Sequence, residues 1–424
     1  MPDSLRPMTM SEKVLARASG RSWVKPGDVV VARVDRAVLL DTQFSSNIYG
    51  GRLPAKVPYP EHVTIVLDHA VPAPSVRDAN AHAAARSWAK DFKIQSFFDL
   101  GRHGICHQVI AENALARPGE LLVCSDSHTC AAGAFNCAGQ GVGGAEMLQV
   151  VSTGGTWFTV QPTIQVELTG MVPDYCDGKD IFLGLGKAFG SAGGQNLEFS
   201  GDGITTLSLH NRRIIATQCV ELNAEFVLFP ADVTTSSYLR ERGVQDFSPV
   251  VADRDAEFAG TWLLNLSDLE PLVALPGGVI GNVVPAMALD HIRLNQCFIG
   301  SCANGHIEDL RLAARILKGR SVASGTRLIV TPASHHVYLE AVKAGYVETI
   351  IEAGGLVTNS TCGACFGYHM GVLGDGEVCL TASTRNFKGR MGSPNAEVFM
   401  ASPATVAASA ITGCITDPRE LTGE

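Results

Sequence analysis

The chain has 424 residues, of which 46% are hydrophobic and 18% are charged, and its formal net charge is -9. This length exceeds what a single hydrophobic core usually organises, so two or three domains are expected. The acidic balance argues against a nucleic-acid partner, because non-specific binding of nucleic acid needs a basic surface.

The N-terminal segment lacks the charged and apolar regions of a secretory signal, and no apolar run is long enough to span a membrane. The twelve cysteines are scattered along the chain and do not form the framework of a small disulfide-rich protein. We therefore expect a cytoplasmic protein with reduced cysteines and no membrane partner.

Short apolar runs alternate with amphipathic stretches along the chain, which is typical of α/β proteins. The predicted strands, in chain order, are residues 63–67, 121–123, 297–299, 328–330 and 378–380. One predicted helix begins near Gly305, with Asn304 as its N-cap, and a second covers residues 336–344.

A Pro-Gly-Gly turn at residues 276–278 interrupts the α/β pattern. We therefore expect two intertwined α/β domains in residues 1–282 and a third α/β domain in residues 283–424. All the cysteines with a distinctive spacing lie in the third of these domains.

Acidic and histidine side chains directly follow two of the predicted strands. Asp68 and His69 come at the end of the first predicted strand, and Asp126 and His128 follow the second. Because ligands of α/β proteins bind where parallel strands end, we expect these pairs to lie at one edge of a sheet. A carboxylate beside an imidazole fixes its tautomer and sets its pKa for proton transfer. For each pair taken alone, a turn with a helix cap is the plain alternative.

Three cysteines form the most specific pattern in the chain. Cys362 and Cys365 have a spacing that fits a zinc site, a redox dithiol or an iron–sulfur cluster. Cys302 lies between a predicted strand and a predicted helix, where the helix dipole favours a thiolate. Three thiolates are compatible with a 4Fe–4S cluster that leaves one iron without a protein ligand, whereas His369 would complete a four-ligand zinc site. Buried, inert cysteines are a third alternative.

Two arginines, Arg385 and Arg390, follow the predicted strand at residues 378–380. A guanidinium group matches the geometry of a carboxylate, so these residues predict a site for an anionic substrate near the other strand ends. Solvated or structural arginines are the alternative for each residue alone.

The order of these motifs resembles the aconitase superfamily, in particular its two-subunit hydro-lyases of the 3-isopropylmalate dehydratase type. The similar segments extend from about Met10 to Arg419 and include residues 68–70, 104–108, 125–129, 179–180, 300–302, 362–365 and 383–390. The resemblance implies an α/β fold of aconitase-like three-layer α/β/α domains 1–3, without the fused swivelling fourth domain, and hence a separate small subunit as partner. It implies a hydro-lyase that dehydrates, rehydrates or isomerises a small 2-hydroxy dicarboxylate.

The resemblance also implies roles for individual residues. Cys302, Cys362 and Cys365 would ligate a 4Fe–4S cluster. Catalytic roles in the departure of the hydroxyl group and in protonation would fall to Asp68, His69, His107, Asp126, His128 and Glu225. Substrate would be bound by Arg385, Arg390 and Ser127.

The chain departs from the family pattern at several positions near these residues. Glu221 stands where the family generally has asparagine, Ala303 replaces threonine, Thr361 replaces a smaller residue and Phe366 replaces an aliphatic residue. These departures favour an outlying member, so maleate, citraconate and dimethylmalate-type substrates are alternatives to a 3-isopropylmalate-type substrate. An iron-responsive RNA-binding protein is disfavoured by the acidic charge. A structural zinc protein would leave the Asp/His pairs and the arginines unexplained.

Overall fold

A computed structural model describes residues 6–45 and 53–422 of the chain. The α-helices in these ranges are α1 (Met10–Ser19), α2 (Val76–Asp91), α3 (Cys106–Glu112), α4 (Gly144–Thr153), α5 (Gly178–Ala188), α6 (Leu209–Gln218), α7 (Val233–Glu241), α8 (Ser301–Asn304), α9 (Ile307–Leu317), α10 (His335–Lys343), α11 (Tyr346–Glu352) and α12 (Pro403–Thr412). None of these helices combines the length and the apolar composition that a membrane crossing requires.

The β-strands of the described ranges form three sheets and one two-stranded ribbon. They are β1 (Val29–Arg33), β2 (Arg36–Leu40), β3 (Val63–Val66), β4 (Ser96–Phe98), β5 (Leu121–Cys124), β6 (Ala138–Gly141), β7 (Gly155–Thr159), β8 (Thr163–Thr169), β9 (Asn196–Ser200), β10 (Val227–Leu228), β11 (Gly260–Asn265), β12 (Leu272–Ala274), β13 (Val283–Pro285), β14 (Gln296–Ile299), β15 (Arg327–Val330), β16 (Leu356–Val357), β17 (Val378–Thr381) and β18 (Glu397–Ala401). The predicted strands are therefore confirmed, each with one end that differs by one residue.

Parallel pairing dominates all three sheets. The first sheet has the order β4-β3-β2-β5-β6 and the second the order β10-β9-β8-β11, and every pair in both is parallel. The third has the order β13-β12-β18-β17-β14-β15-β16, in which β12 alone runs antiparallel to its two neighbours. Strands β3, β5 and β14 are buried along their whole length, as expected for parallel strands that are covered on both faces.

The hydrophobic core is shared between the first two sheets. One continuous group of buried side chains joins Leu40 and Cys124 of the first sheet to Phe199 of the second. The third sheet has its own core around Ile299, Leu310 and related residues. Since β12 belongs to the third sheet and precedes residue 282, the sheets divide slightly earlier along the chain than the predicted boundary, which stays a prediction.

The start of α9 differs from the sequence expectation, because a separate short helix, α8, precedes it. Asn304 lies within α8 and its Nδ2 donates to Asp309 Oδ1 at 3.2 Å, so the predicted N-cap is wrong. The N-cap of α9 is His306, whose backbone N–H donates to Asp309 Oδ2 at 2.8 Å. Gly305 permits this break, since an added Cβ would lie 2.9 Å from the carbonyl oxygens of Ser301 and Thr331. The second predicted helix is confirmed as α10, displaced by one residue.

Candidate active site

Strand ends of the first and third sheets bring the predicted site residues together. Asp68 and His69 follow β3, Asp126 follows β5, and Cys302 lies in α8 directly after β14. Cys362, in the loop after β16, reaches the same place, because its backbone N–H donates to the Asp68 carbonyl at 3.2 Å. The site therefore lies where two sheets meet with their C-terminal strand ends.

Thr361 connects the loop after β3 to the loop that carries the paired cysteines. Its side chain is buried, and its Oγ1 lies 2.8 Å from the Asp68 carbonyl oxygen and 3.2 Å from the His69 carbonyl oxygen. The first of these hydrogen bonds joins residues 293 positions apart. A hydroxyl at this position thus has a structural use that a glycine would not supply.

The Asp126 carboxylate contacts the side chains of two histidines. Its Oδ1 lies 2.8 Å from His107 Nε2 and 3.5 Å from His128 Nδ1, and it also accepts the His128 backbone N–H at 2.9 Å. Burial opposes ionisation of this carboxyl, but the hydrogen bonds from His107 and His128 outweigh it and hold the pKa of Asp126 well below its usual value. Asp126 is therefore a carboxylate at neutral pH, and it orients both imidazoles.

His69 faces three carboxyl groups. Its Nδ1 lies 3.7 Å from Asp68 Oδ2 and 4.0 Å from Asp41 Oδ1, and its Nε2 lies 3.8 Å from Asp126 Oδ2. Burial disfavours the imidazolium, but the three acidic neighbours outweigh burial and raise the pKa of His69. Burial raises the pKa of Asp68 in turn. This group of residues can store and deliver protons.

Glu221 links the histidines to the predicted substrate-binding arginine. Its Oε1 lies 2.6 Å from Arg385 Nε and 3.2 Å from His128 Nε2. Burial alone would raise the pKa of Glu221, but His128 and Arg385 hold it below its usual value. Burial disfavours protonation of His128 as well, and the carboxylates of Asp126 and Glu221 nevertheless raise its pKa. Glu221 contacts Nε and leaves the terminal nitrogens of Arg385 to face other groups.

The three cysteines, here called the cysteine group, lie beside these residues. A hydrogen bond from Cys362, together with the charge of Arg390, holds the pKa of Cys365 well below its usual value against the effect of burial. Burial raises the pKa of Cys302, and the nearby charges of Asp126 and Cys365 act in the same direction. The thiols are therefore close enough to influence one another and the carboxylate of Asp126.

Arg390 joins the cysteine group to the predicted substrate pocket. Its Nη2 lies 3.9 Å from Cys365 Sγ, and its guanidinium carbon lies 5.6 Å from the centre of the Phe366 ring. The same Phe366 ring meets the His69 ring edge to face at 5.0 Å. Phe366 thus separates an arginine from a histidine and shapes the space between them.

The residues around the cysteine group fit a thiolate-bound cluster. Two buried polar atoms, Asp68 Oδ1 and Arg390 Nε, have no hydrogen-bond partner within the described residues, as is typical of a site that receives a ligand. Lys179 is fully buried near Cys302 and Cys365, and burial lowers its pKa to about 8 against the opposing charges of Asp177 and the thiolates. Three thiols with a lysine and an arginine beside them match the charge of an anionic iron–sulfur cluster.

Three further candidates were named from the sequence, namely Glu225, Ser127 and His369. The Glu225 side chain hydrogen-bonds to Gln140, and burial raises its pKa. Ser127 is exposed at the start of a 3-10 helix. His369, the alternative zinc ligand, has its Nε2 at 3.2 Å from the His69 carbonyl oxygen. The assigned roles of Glu225 and Ser127 stay predictions.

The sequence reasoning missed several residues of the site. Asp41 directly follows β2, and its carboxylate accepts the backbone N–H groups of His69 at 3.2 Å and Ala70 at 2.8 Å. The strand-end pattern that identified Asp68 could have identified Asp41 too. Glu221 and Lys179 were named in the comparison with the family pattern but given no role, because they lie in helical segments and reach the site only through the packing of the sheets.

Comparisons with known proteins show similarity to one family over most of the chain. Residues 51–283 and 279–413 match the aconitase family (aconitate hydratase). The 3-isopropylmalate dehydratase large subunit of Mycolicibacterium smegmatis is 52% identical over 98% of this chain and 98% of that protein. The 3-isopropylmalate dehydratase large subunit 1 of Methanopyrus kandleri is 42% identical over 97% and 99%. A probable methanogen homoaconitase large subunit of Methanothermobacter thermautotrophicus is 39% identical over 98% and 99%.

Proposed function

Because this chain belongs to the aconitase family, we propose that it is the large catalytic subunit of an iron–sulfur hydro-lyase. The substrate is a small 2-hydroxy dicarboxylate of the 3-isopropylmalate type. The observation that carries this proposal is the position of Arg390, with its Nη2 3.9 Å from Cys365 Sγ and its guanidinium beside Phe366 and His69. A carboxylate on this arginine would lie between the cysteine group and the histidines.

The cysteine group would hold a 4Fe–4S cluster through Cys302, Cys362 and Cys365. When bound there, the cluster supplies a Lewis-acidic iron with no protein ligand. The surrounding residues bind and orient the substrate. The terminal nitrogens of Arg385 and Arg390 bind carboxylates, since a guanidinium presents two parallel donors to them.

The histidines handle protons. Burial opposes protonation of His69, but Asp68, Asp41 and Asp126 raise its pKa and so favour the protonated form, whose proton is available to a departing hydroxyl group. Asp126 keeps His107 and His128 oriented throughout. In the hydration direction the same groups accept the proton of the attacking water, as microscopic reversibility requires.

A separate small subunit completes the enzyme in this proposal. The support is that the three relatives named above are each described as a large subunit. The partner would cover the strand-end face, where Phe366 and Phe387 are about half exposed although they flank Arg390. Exposed aromatic side chains at a polar site are typical of a surface that a partner covers.

The experiment is anaerobic reconstitution with iron and sulfide, followed by addition of the small subunit. We expect about four iron atoms per chain and interconversion of a 2-hydroxy dicarboxylate with its unsaturated acid. Malate derivatives with isopropyl, methyl and dimethyl substituents, and malate itself, define the substrate. The Cys302→Ser variant is expected to lose iron and activity, whereas Cys414→Ser, at a partly buried free cysteine outside the cysteine group, keeps both. Stable zinc without iron in the wild type, or a fully active Cys302→Ser variant, would contradict the proposal.

A further inference from the structure

A second cluster of metal-ligating side chains lies behind Cys302, where α6 meets the start of α9. His210 of α6 and His306 and Asp309 at α9 each offer one ligand atom, and these atoms lie within 4.8 Å of one another. We call these three residues the α6–α9 cluster. His306 and Asp309 are buried, and His210 is close to buried. Nothing in the proposed hydro-lyase chemistry uses them as ligands.

Each of the two imidazole rings has a hydrogen-bond acceptor beside its Nε2 atom. His306 Nε2 lies 3.0 Å from the Cys302 carbonyl oxygen, and His210 Nε2 lies 3.2 Å from Asp309 Oδ1. A metal-bound histidine characteristically donates its second ring N–H to a carbonyl or carboxylate, which fixes the tautomer. With both Nε2–H groups donated in this way, each ring turns an Nδ1 lone pair inward.

The two inward nitrogens face each other at close range. His210 Nδ1 lies 3.0 Å from His306 Nδ1, so two lone pairs would repel unless a metal ion or a proton lies between them. Ligand nitrogens about 2.05 Å from a tetrahedral zinc ion lie about 3.4 Å apart. A shift of a few tenths of an ångström in either ring would therefore give the two nitrogens the separation that they have in a zinc site.

We propose that the α6–α9 cluster binds a divalent transition-metal ion of the zinc type. The ligands are Nδ1 of His210, Nδ1 of His306 and Asp309 Oδ2, which lies 3.9 Å from His306 Nδ1. Glu308 Oε2, 3.7 Å from His210 Nδ1, or a water molecule supplies the fourth ligand. Nitrogen and carboxylate ligands of this kind suit zinc better than magnesium or calcium, which prefer oxygen alone.

An open cavity gives access to the cluster. It has a volume of about 700 Å³ and is lined by His210 and Asp309 together with charged residues of both signs. The acidic residues in the lining are Asp177, Glu308 and Asp309, and the basic residues are Arg213, Arg311 and Arg315. The charges are thus balanced, and a cation entering this cavity meets carboxylates next to its ligands.

Arg213 offers an alternative arrangement of hydrogen bonds in which no metal ion is bound. Its Nη2 lies 3.2 Å from His306 Nε2, and it also donates to Gln108 Oε1. If Arg213 donated to His306 Nε2, then His306 Nδ1 would carry a proton and donate it to His210, and no ion would be required. Burial and the charge of Arg213 lower the pKa of His306 well below its usual value, so this ring is neutral in both arrangements. Measurement of the metal content decides whether a proton or a metal ion lies between the two histidines.

A metal ion at the α6–α9 cluster would join two parts of the fold. They meet next to Cys302, one of the proposed ligands of the iron–sulfur cluster. His210 belongs to a helix of the segment that builds the second sheet, whereas His306 and Asp309 follow a strand of the third. Ligation would fix α6 against α9 and tighten the contact of His306 with the Cys302 backbone. The role of the ion is to hold α6 against α9.

The test uses anaerobically reconstituted protein with zinc chloride as the probe. After excess zinc is removed, zinc and iron per chain are measured by mass spectrometry, and the zinc affinity is measured by competition with a chromophoric chelator. The variants are His210→Ala and His210→Gln, the second of which keeps a hydrogen-bonding side chain in case the first fails to fold. His291→Ala, which removes an exposed histidine elsewhere, is the matched control.

We expect about one more zinc ion per chain in the wild type and in His291→Ala than in the two His210 variants. The affinity should fall more than about 100-fold in those variants, because loss of an outer-shell partner alone costs 10–100-fold. Iron per chain should be equal in all four proteins. Equal zinc content in wild type and His210 variants, or zinc that binds only as iron is lost, would overturn the inference. The criterion is a difference in zinc, so it holds whether or not the cysteine group carries iron.

Discussion

Replacement of Thr361 by valine tests the connection between the loop after β3 and the loop of the paired cysteines. Valine has the shape of threonine without the hydroxyl, so the change removes the hydrogen bonds to the Asp68 and His69 carbonyls and leaves no cavity. Each carbonyl keeps another donor, because the Cys362 N–H bonds to Asp68 and His369 Nε2 bonds to His69. The carbonyls therefore avoid the penalty of an unpaired buried group, whereas the buried Val71 N–H loses its long, 3.5 Å hydrogen bond to Thr361 Oγ1. The total cost is about 1–2 kcal/mol.

Hydrogen exchange at the Cys362 amide measures this cost locally. A loss of about 1–2 kcal/mol should speed exchange about 5–30-fold. Thr361→Ser is the control, since it keeps the hydroxyl and loses only a methyl group. Serine costs about 0.8 kcal/mol of buried apolar surface in global stability, but it should leave exchange at Cys362 close to the wild-type rate. Equal acceleration in the valine and serine variants would refute the idea that the hydroxyl connects the loops.

Two further changes test the polar residues of the site. Glu221→Gln should lower the pKa of His128, because Glu221 is one of two carboxylates that raise it. Histidine NMR titration measures this shift. The control variant Glu225→Gln should leave the pKa of His128 unchanged. The protonated form of His128 would then be lost at lower pH than in the wild type, so any activity that needs it should decline earlier as pH rises. Arg390→Lys should lower kcat/KM about 10–150-fold, equivalent to about 1.5–3 kcal/mol for a charged hydrogen bond, because lysine lacks the paired donors that reach Cys365 and a carboxylate. Unchanged kcat/KM in the lysine variant would contradict a substrate-binding role.

Local sequence patterns predicted much of the framework of the site. The runs that became β3, β5, β14 and β17 are short and apolar, and each ends at a polar or cysteine-containing segment. In a parallel arrangement these ends collect at sheet edges, so their proximity follows from the strand pattern. The predicted family, α/β fold class and hydro-lyase class are confirmed by the family match and the relatives.

Local sequence patterns could not predict the contacts between distant segments of the chain. Glu221 pairs with Arg385 across 164 positions, and no periodicity links the two. The resemblance pointed to Glu225, yet the carboxylate that contacts His128 belongs to Glu221, four residues earlier. The prediction of Asn304 as an N-cap was wrong for a local reason. Asparagine suits an N-cap, but the Asn304 side chain hydrogen-bonds to Asp309 instead.

The connection between Asp68 and Thr361 also has a consequence for biosynthesis. The two residues are 293 positions apart, so at a synthesis rate of 5–20 residues per second the first waits roughly 15–60 s for the second. During that interval the Asp68 and His69 carbonyls lack the Thr361 hydroxyl, and the paired cysteines have not left the ribosome. Metal delivered to the nascent chain would meet an incomplete set of thiols. A complete set of three thiols thus exists only after Cys365 has been made.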